Sequence, residues 1–128
     1  MTLTVELQTL SESYAVCYLP AAGPTPAWAA GPGFVNISYC SDELSIVCPA
    51  KRVPEKVTCE RDWTALKLTG SFAFDEAGVL LAAIRPLSEN GLGIFAVSTF
   101  HRDYLLVKTE DFARAKELLE AAGHKFVT

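Results

Sequence analysis

An acidic turn that contains a glycine, from Phe74 to Val79, has the residue types best suited to binding a small charged molecule. We expect it to precede a helix, where unpaired backbone N–H groups and the positive end of the helix dipole attract a carboxylate. Gly78 lets the backbone approach a ligand closely, and Asp75 and Glu76 can accept hydrogen bonds from an ammonium or guanidinium group. An α-amino acid carries both charges. In the alternative, structural interpretation, Asp75 caps the helix and Glu76 faces water.

The elements predicted around this turn are a strand before it and a helix after it. Apolar and polar residues alternate from Thr64 to Phe72, which is typical of a strand with one buried face. Gly91 is predicted to end the helix in a left-handed conformation, and Pro86 to bend it or fray it early. The apolar residues at helical spacing are Leu80, Ala83, Ile84 and Leu87.

Two more strands and a second helix are predicted after Gly91. An apolar strand from Ile94 to Phe100 is followed by a polar turn and a strand from Tyr104 to Val107. The resulting order is βαββαβ, and the crossover rule places both helices on one face of a four-stranded antiparallel sheet. The second helix and last strand are predicted from Phe112, Ala115, Leu119 and Ala122, with Gly123 as the helix stop and Phe126-Val127 as the strand.

The first half of the chain is rich in predicted strands and has no convincing helix. Asp42-Glu43 has the composition of a hairpin turn between two of these strands. About sixty residues are marginal for an independent core, so we expect a degenerate lobe packed on the other half. The predicted strands are Thr2 to Leu10, Tyr14 to Leu19, Phe34 to Cys40 and Leu44 to Cys48, with short helical turns possible at Pro26 to Ala30 and Ala50 to Val53.

The segment from Trp63 to Val107 resembles the ACT domain, the small-molecule regulatory module of aspartate kinases and other amino-acid enzymes. It is most similar to a stand-alone bacterial branch related to the cytosolic arginine sensors. The motifs that carry this resemblance are Gly78-Val-Leu, Gly93-Ile-Phe-Ala-Val-Ser-Thr and Asp103-Tyr-Leu-Leu-Val, with Leu44-Ser-Ile-Val-Cys-Pro ending the N-terminal lobe and Glu60-Arg-Asp-Trp63 introducing the ACT lobe.

The resemblance implies an α+β fold of two ACT-like lobes with the ferredoxin-like βαββαβ order. The N-terminal lobe, residues 1–62, is the degenerate and strand-rich one, and residues 63–128 form the ACT domain proper. A two-fold homodimer built on the 63–128 lobe would cover the helix-free sheet face or the open strand edge.

The resemblance also places a ligand between the acidic turn of one lobe and the start of the second strand of a partner lobe. That strand begins at Gly93-Ile-Phe95, although Ile94 and Phe95 are alternatively core residues. Asp103 matches an acidic position near the ligand of the arginine sensors, while Arg102 could neutralise it and disfavour a cationic ligand. The candidate ligand-binding residues are Phe74, Asp75, Glu76, Ala77, Gly78, Val79, Gly93, Ile94, Phe95, Ser98, Thr99, Phe100 and Asp103.

Composition narrows the class of protein further. A hydrophobic content of 50% supports a real core, and a net charge of −4 argues against a nucleic-acid partner. An apolar span of about twenty residues is missing, as is a signal-peptide pattern, so we expect a cytoplasmic protein without a membrane partner.

Catalytic and metal-binding patterns are not evident in the sequence. His101 and His124 lack metal-ligand spacing and are predicted to be surface residues. The four cysteines form no C-x-x-C pair and are interpreted as small core hydrophobes, with a metal or redox role as the alternative: Cys17, Cys40, Cys48 and Cys59. We therefore expect neither an enzyme nor a cofactor.

Two hypotheses about function remain. The first is a regulatory protein that senses an amino acid or a similar zwitterion at a lobe or dimer interface. The second is an ACT-like dimerisation or interaction module that binds no small molecule and acts on an amino-acid metabolic enzyme. A pocket at the turn from Asp75 to Val79 would favour the first hypothesis.

Overall fold

The computed structural model of the protein describes residues 3–70 and 77–127. The chain divides into two compact units, one of which contains Glu12–Trp63. We call this the strand-rich unit; the other, the helical unit, combines the residues up to Ser11 with those from Thr64 onward. The elements are β1 (Glu6–Leu19), β2 (Asn36–Tyr39), β3 (Leu44–Pro49), β4 (Thr58–Leu68), α1 (Val79–Ser88), β5 (Ile94–Ser98), β6 (Asp103–Lys108), α2 (Phe112–Ala121) and β7 (Lys125–Val127).

The helical unit has the predicted α+β architecture, with both helices on one face of a sheet. Its strands lie side by side in the order β7, β1, β4, β6, β5. Both helices and alternate residues of the strands contribute to one apolar core, so the two helices cover the same sheet face. The core residues are Val5, Leu7, Leu66, Leu68, Val79, Ala83, Leu87, Leu92, Leu105, Val107, Ala115 and Leu119.

The strand order corrects the prediction of a four-stranded antiparallel sheet. The last strand, β7, does not pair with β4; it runs parallel to the start of β1, with Leu7 opposite Phe126. The physical reason lies in the alternation at the N-terminus, because Val5 and Leu7 are buried in the core of the helical unit. The first strand of the chain thus completes the sheet on which both helices pack.

Helix α1 begins and ends as its sequence predicts. Gly91 has φ +79°, and the N–H of Leu92 donates to the carbonyl of Leu87 at 3.1 Å, which closes the C-terminus with a Schellman-type bond. The helix continues through Pro86 to Ser88. Because proline has no N–H, the carbonyl of Ala82 loses its usual partner four residues later.

His124 supplies the missing donor, and the prediction that it lies at the surface is wrong. Its side chain is only 5% exposed. Nδ1 accepts a hydrogen bond from the N–H of Val5 at 3.1 Å, so the ring is neutral and carries its proton on Nε2. Nε2 lies 2.8 Å from the carbonyl of Ala82 and donates to it. His124 therefore joins α1, the N-terminal segment and the turn after α2, whereas His101 is exposed as predicted.

The strand-rich unit contains the sheet β2, β3, β1, β4. The predicted hairpin at Asp42-Glu43 is confirmed, since the N–H of Cys40 donates to the carbonyl of Glu43 at 2.9 Å. The expected helical turns occur at Ala27–Ala29 and Ala50–Arg52. The second half of the predicted strand Thr2 to Leu10 and all of the predicted strand Tyr14 to Leu19 belong to one continuous strand, β1, which begins at Glu6. Thr2 lies outside the described residues.

The cysteines do not all behave as small core residues. Cys17 and Cys48 are buried as predicted, and Cys59 packs against the same core while remaining partly accessible. Cys40 is exposed, which corrects its predicted burial, because it follows the end of β2 at the hairpin turn. None of the four takes part in a disulfide.

Candidate functional site

The first candidate region is the N-terminus of α1, where Gly78 occupies the N-cap position with φ +86°. The first helical hydrogen bond runs from the N–H of Ala82 to the carbonyl of Gly78 at 2.9 Å, so the N–H groups before Ala82 lie ahead of the helical ladder. Gly78 itself has no side chain with which to cap this end of α1. Ala77 and Gly78 are exposed, whereas Val79 is buried. Phe74, Asp75 and Glu76 lie outside the described residues.

The energetic cost of the left-handed backbone at Gly78 can be measured by substituting that residue. Among the described residues, a Cβ built on Gly78 or on Gly93 meets no atom within 4 Å, but only Gly78 has a positive φ. We therefore expect Gly78→Ala to lower the free energy of unfolding by about 1 kcal/mol, and the matched Gly93→Ala to leave it unchanged or slightly raised. Urea denaturation of both variants measures this difference. Equal effects would show that the backbone conformation at Gly78 carries no cost.

The second candidate region is the hairpin between β5 and β6. The hydroxyl of Ser98 donates to a carboxylate oxygen of Asp103 at 2.5 Å, so these two predicted site residues do meet. The N–H of Thr99 donates to the carbonyl of Arg102 at 2.7 Å and closes the turn. Phe100 is 75% exposed at the tip. The hairpin thus presents one carboxylate and one large apolar side chain at the surface.

Arg102, proposed as a possible neutralising partner of Asp103, makes other contacts. Its Nη1 donates to the carbonyl of His101 at 3.0 Å, and its N–H donates to the hydroxyl of Thr99 at 3.2 Å. The carboxylate of Asp103 instead receives the hydroxyl of Ser98. The hydrogen bond from Ser98 does not neutralise the carboxylate of Asp103, which can therefore still bind a cation.

The third candidate region, Gly93 to Phe95, lies at the opposite end of α1 from Gly78. A helix of ten residues is about 15 Å long, and Gly93 follows its C-terminal turn. Strand β5 then returns past α1, so the hairpin tip lies toward the end where α1 begins. Ile94 packs against the core, which confirms the structural interpretation for that side chain. One helical unit therefore brings the hairpin toward Gly78 but keeps Gly93 apart from both.

A surface groove of about 400 Å³ runs along the outer side of α1 from Gly78. The sequence did not predict this groove, because the residues of its walls are far apart in the chain. They include Leu3, Leu81, Pro86 and His124. Leu81 is 52% exposed, which is unusual for a large apolar side chain on a helix. One feature of the sequence did point to a polar side chain beside α1. Pro86 lies inside an amphipathic helix, so the carbonyl of Ala82 needs a donor from elsewhere in the chain.

Other kinds of site receive no support from the described part of the chain. Among residues 3–70 and 77–127, no three His, Cys, Asp or Glu side chains are grouped so that they could hold a metal ion. Neither α1 nor α2 has the length and apolar character that crossing a bilayer requires.

Comparison with known families assigns both units. The model of the ACT domain matches residues 58–121, and a model described as the N-terminal domain of a further family matches residues 12–56. The two matches correspond closely to the helical and strand-rich units. No curated protein matches the chain.

Solved structures similar to the chain share its whole fold. Protein Atu0741 from Agobacterium tumefaciens is 46% identical and superposes with a TM-score of 0.94, over 98% of this chain and 94% of that one. The regulatory subunit of aspartate kinase from Thermus thermophilus is 9% identical with a TM-score of 0.62, over 95% and 99%. Clostridium acetobutylicum aspartate kinase is 12% identical with a TM-score of 0.67, over 95% of this chain and 35% of the enzyme. The two kinase likenesses show a shared fold.

Proposed function

Because this chain belongs to the ACT-domain family, we propose that it is a cytoplasmic regulatory protein that binds an amino acid or a similar zwitterion between two copies of the helical unit. It catalyses no reaction itself and acts on a separate amino-acid metabolic enzyme. The observation that carries the proposal is the division of the candidate residues between the two ends of α1. A site that uses all of them needs a second copy.

The open edge of β5 offers a way to bring in that copy. In antiparallel strands, residues alternate between pairs that exchange backbone hydrogen bonds and pairs that do not. Thr99 and Arg102 form a bonded pair at the turn, and the register pairs Val97 with Tyr104. The backbone groups of Val97 therefore point toward β6, while those of Ile94, Ala96 and Ser98 point away from it. Since β5 is the last strand of the sheet, these groups face outward.

Strand β5 can pair with the same strand of a second copy about a two-fold axis. The backbone groups of Ile94, Ala96 and Ser98 all form hydrogen bonds in this pairing only when the axis passes through Ala96. Ala96 then faces its own symmetry mate, and Ile94 of one protomer faces Ser98 of the other. This register places the entrance of β5 in one protomer beside the Ser98–Asp103 pair of its partner. Gly93 of one copy thus approaches the hairpin of the other.

The chemistry at that junction suits a zwitterion. The N-terminus of α1 offers backbone N–H groups to a carboxylate, and its N-cap residue, Gly78, has no side chain that would occupy them. Asp103 offers a carboxylate to an ammonium group, and Phe100 offers an exposed apolar surface to a side chain. Glycine at positions 78 and 93 leaves space beside the backbone, since a Cβ at either position meets no atom of residues 3–70 or 77–127 within 4 Å.

A thermal-denaturation screen against the twenty amino acids tests this function. A ligand at ten times its dissociation constant stabilises the native state by about 1.4 kcal/mol, so we expect one or a few related amino acids to raise the midpoint by roughly 4 °C. Leucinol and other amino alcohols serve as controls, because they lack the carboxylate. A flat response to all twenty at millimolar concentrations would contradict the sensor and support a ligand-free interaction module.

A further inference from the structure

The groove beside α1 starts at the glycine that the proposed site uses. Gly78 is the first of the α1 residues in its walls, and Leu81 and Ala82 follow one turn later. Leu3 from the N-terminal segment and Ala122 from the turn after α2 add further apolar wall. All of these residues belong to the helical unit. A volume of about 400 Å³ suits a small molecule, since ligand sites measure about 300–1,000 Å³.

Leu81 forms the apolar wall nearest to Gly78. Side chains on an α-helix tilt toward its N-terminus, so the side chain of Leu81 covers the turn that begins at Gly78. Leu81 is 52% exposed although it is large and apolar. The N–H groups at the start of α1, which the proposed function assigns to a carboxylate, therefore adjoin an apolar surface that a ligand can reach.

His124 is a polar residue of the groove, but both nitrogen atoms of its ring are already used. Nδ1 accepts the N–H of Val5 at 3.1 Å, and Nε2 donates to the carbonyl of Ala82 at 2.8 Å. An imidazole ring has no other hydrogen-bonding atom. His124 therefore shapes the wall of the groove and adds no polar contact for a ligand.

The charged residues of the groove lie farther along α1. Arg85 and Glu89 follow Gly78 by seven and eleven residues, which is about 10 and 16 Å along the helix axis. Nε of Arg85 lies 4.0 Å from a carboxylate oxygen of Glu89, so the positive charge stays beside a negative one. Both side chains are mostly exposed, and water screens them further. The described wall next to Gly78 thus carries no unbalanced charge that would select an acidic or a basic side chain.

We infer that this groove is the side-chain subsite of the proposed amino-acid site, and that it selects an aliphatic amino acid such as leucine. The inference rests on the proposed function for the place of the ligand's carboxylate and ammonium groups. An aliphatic side chain that enters beside Gly78 is removed from water by Leu3 and Leu81. A polar side chain of the same size would lose hydrogen bonds to water there without replacing them. Phe100, which is 75% exposed at the hairpin tip, imposes the same preference.

Calorimetry with leucine, asparagine and alanine measures this preference. The side chains of leucine and asparagine are similar in size and branching, so the difference between them reports the polarity of the subsite. Removing about 55 Å² of apolar surface from water corresponds to a factor of ten in affinity. We therefore expect leucine to bind at least ten times more tightly than asparagine or alanine.

Two substitutions in the groove test whether it holds the side chain. Leu81→Gln replaces the exposed apolar wall with a good helix former, and it should weaken leucine binding about tenfold while changing alanine binding much less. Ala122→Phe fills the groove from an exposed position and should have the same effect. Ser88→Gln is the matched control, because Ser88 is exposed on α1 and lies outside the groove walls. This variant should bind leucine like the unaltered protein.

The outcomes separate this inference from the proposed function. Failure of all twenty amino acids to bind would contradict both. Tightest binding of an amino acid with a charged or polar side chain would keep the sensor and overturn the aliphatic subsite. Unchanged leucine affinity in both Leu81→Gln and Ala122→Phe would also overturn it, because the ligand's side chain would then lie elsewhere.

Discussion

Replacing His124 with alanine is expected to lower the free energy of unfolding by about 3 kcal/mol. The change leaves the buried N–H of Val5 and the partly buried carbonyl of Ala82 without their partners, and an unsatisfied buried group costs about 1–3 kcal/mol. It also removes a side chain that is 5% exposed, which leaves a space in the packing. Urea denaturation measures the loss. His101→Ala is the matched control, and we expect its effect to stay within about 0.5 kcal/mol because His101 is exposed.

A second substitution, Pro86→Ala, tests whether His124 replaces the hydrogen bond that the proline removes. In Pro86→Ala, the new N–H at position 86 can donate to the carbonyl of Ala82, as in an uninterrupted helix. We expect His124→Ala to cost about 1 kcal/mol less in that background, because only the N–H of Val5 then loses its partner. Equal costs in both backgrounds would show that His124 does not compensate for the proline.

Replacing Ala96 with proline is expected to weaken self-association about a hundredfold while leaving the monomer folded. Its N–H points away from β6, so proline removes no hydrogen bond within the protomer and is tolerated on an edge strand. In the proposed two-fold pairing, the same change removes both hydrogen bonds between Ala96 and its symmetry mate and adds a steric conflict, together about 2–3 kcal/mol.

Sedimentation velocity over a range of concentrations measures this loss. Ala96→Thr is the control, because it keeps the N–H and suits a strand, and it should associate like the unaltered protein. The amino-acid response in thermal denaturation should disappear with Ala96→Pro and persist with Ala96→Thr. An Ala96→Pro protein that still associates and still responds would exclude pairing through β5.

The sequence predicted those parts of the fold that depend on local pattern. The helical spacing of Ala83 and Leu87 predicted α1, and the glycines Gly91 and Gly123 predicted where the two helices end. Both signals depend on residues that are close together in the chain. The position of β1 between β7 and β4 was not predictable in this way. Its alternation showed that one face is buried, but a period of two does not identify the strand beside it.

The candidate site was also predicted only in part. The contact between Ser98 and Asp103 follows from a short hairpin, and Gly78 has a left-handed conformation that glycine adopts at little steric cost. Burial of His124 was missed, because its partners, Val5 and Ala82, are distant in sequence and both use backbone atoms. Backbone partners leave no trace in residue types, so only the interior proline pointed to them.

Complementation between two binding-deficient variants tests the shared site most directly. Gly78→Trp blocks the start of α1, and Gly93→Trp blocks the entrance of β5, so each variant alone should bind no amino acid in calorimetry. A mixed dimer keeps one unaltered Gly78 and one unaltered Gly93 facing each other across the interface. An equal mixture should therefore recover about a quarter of the original binding capacity. No recovery in a mixture that sedimentation shows to form dimers, or full binding by either variant alone, would contradict a site built from two copies.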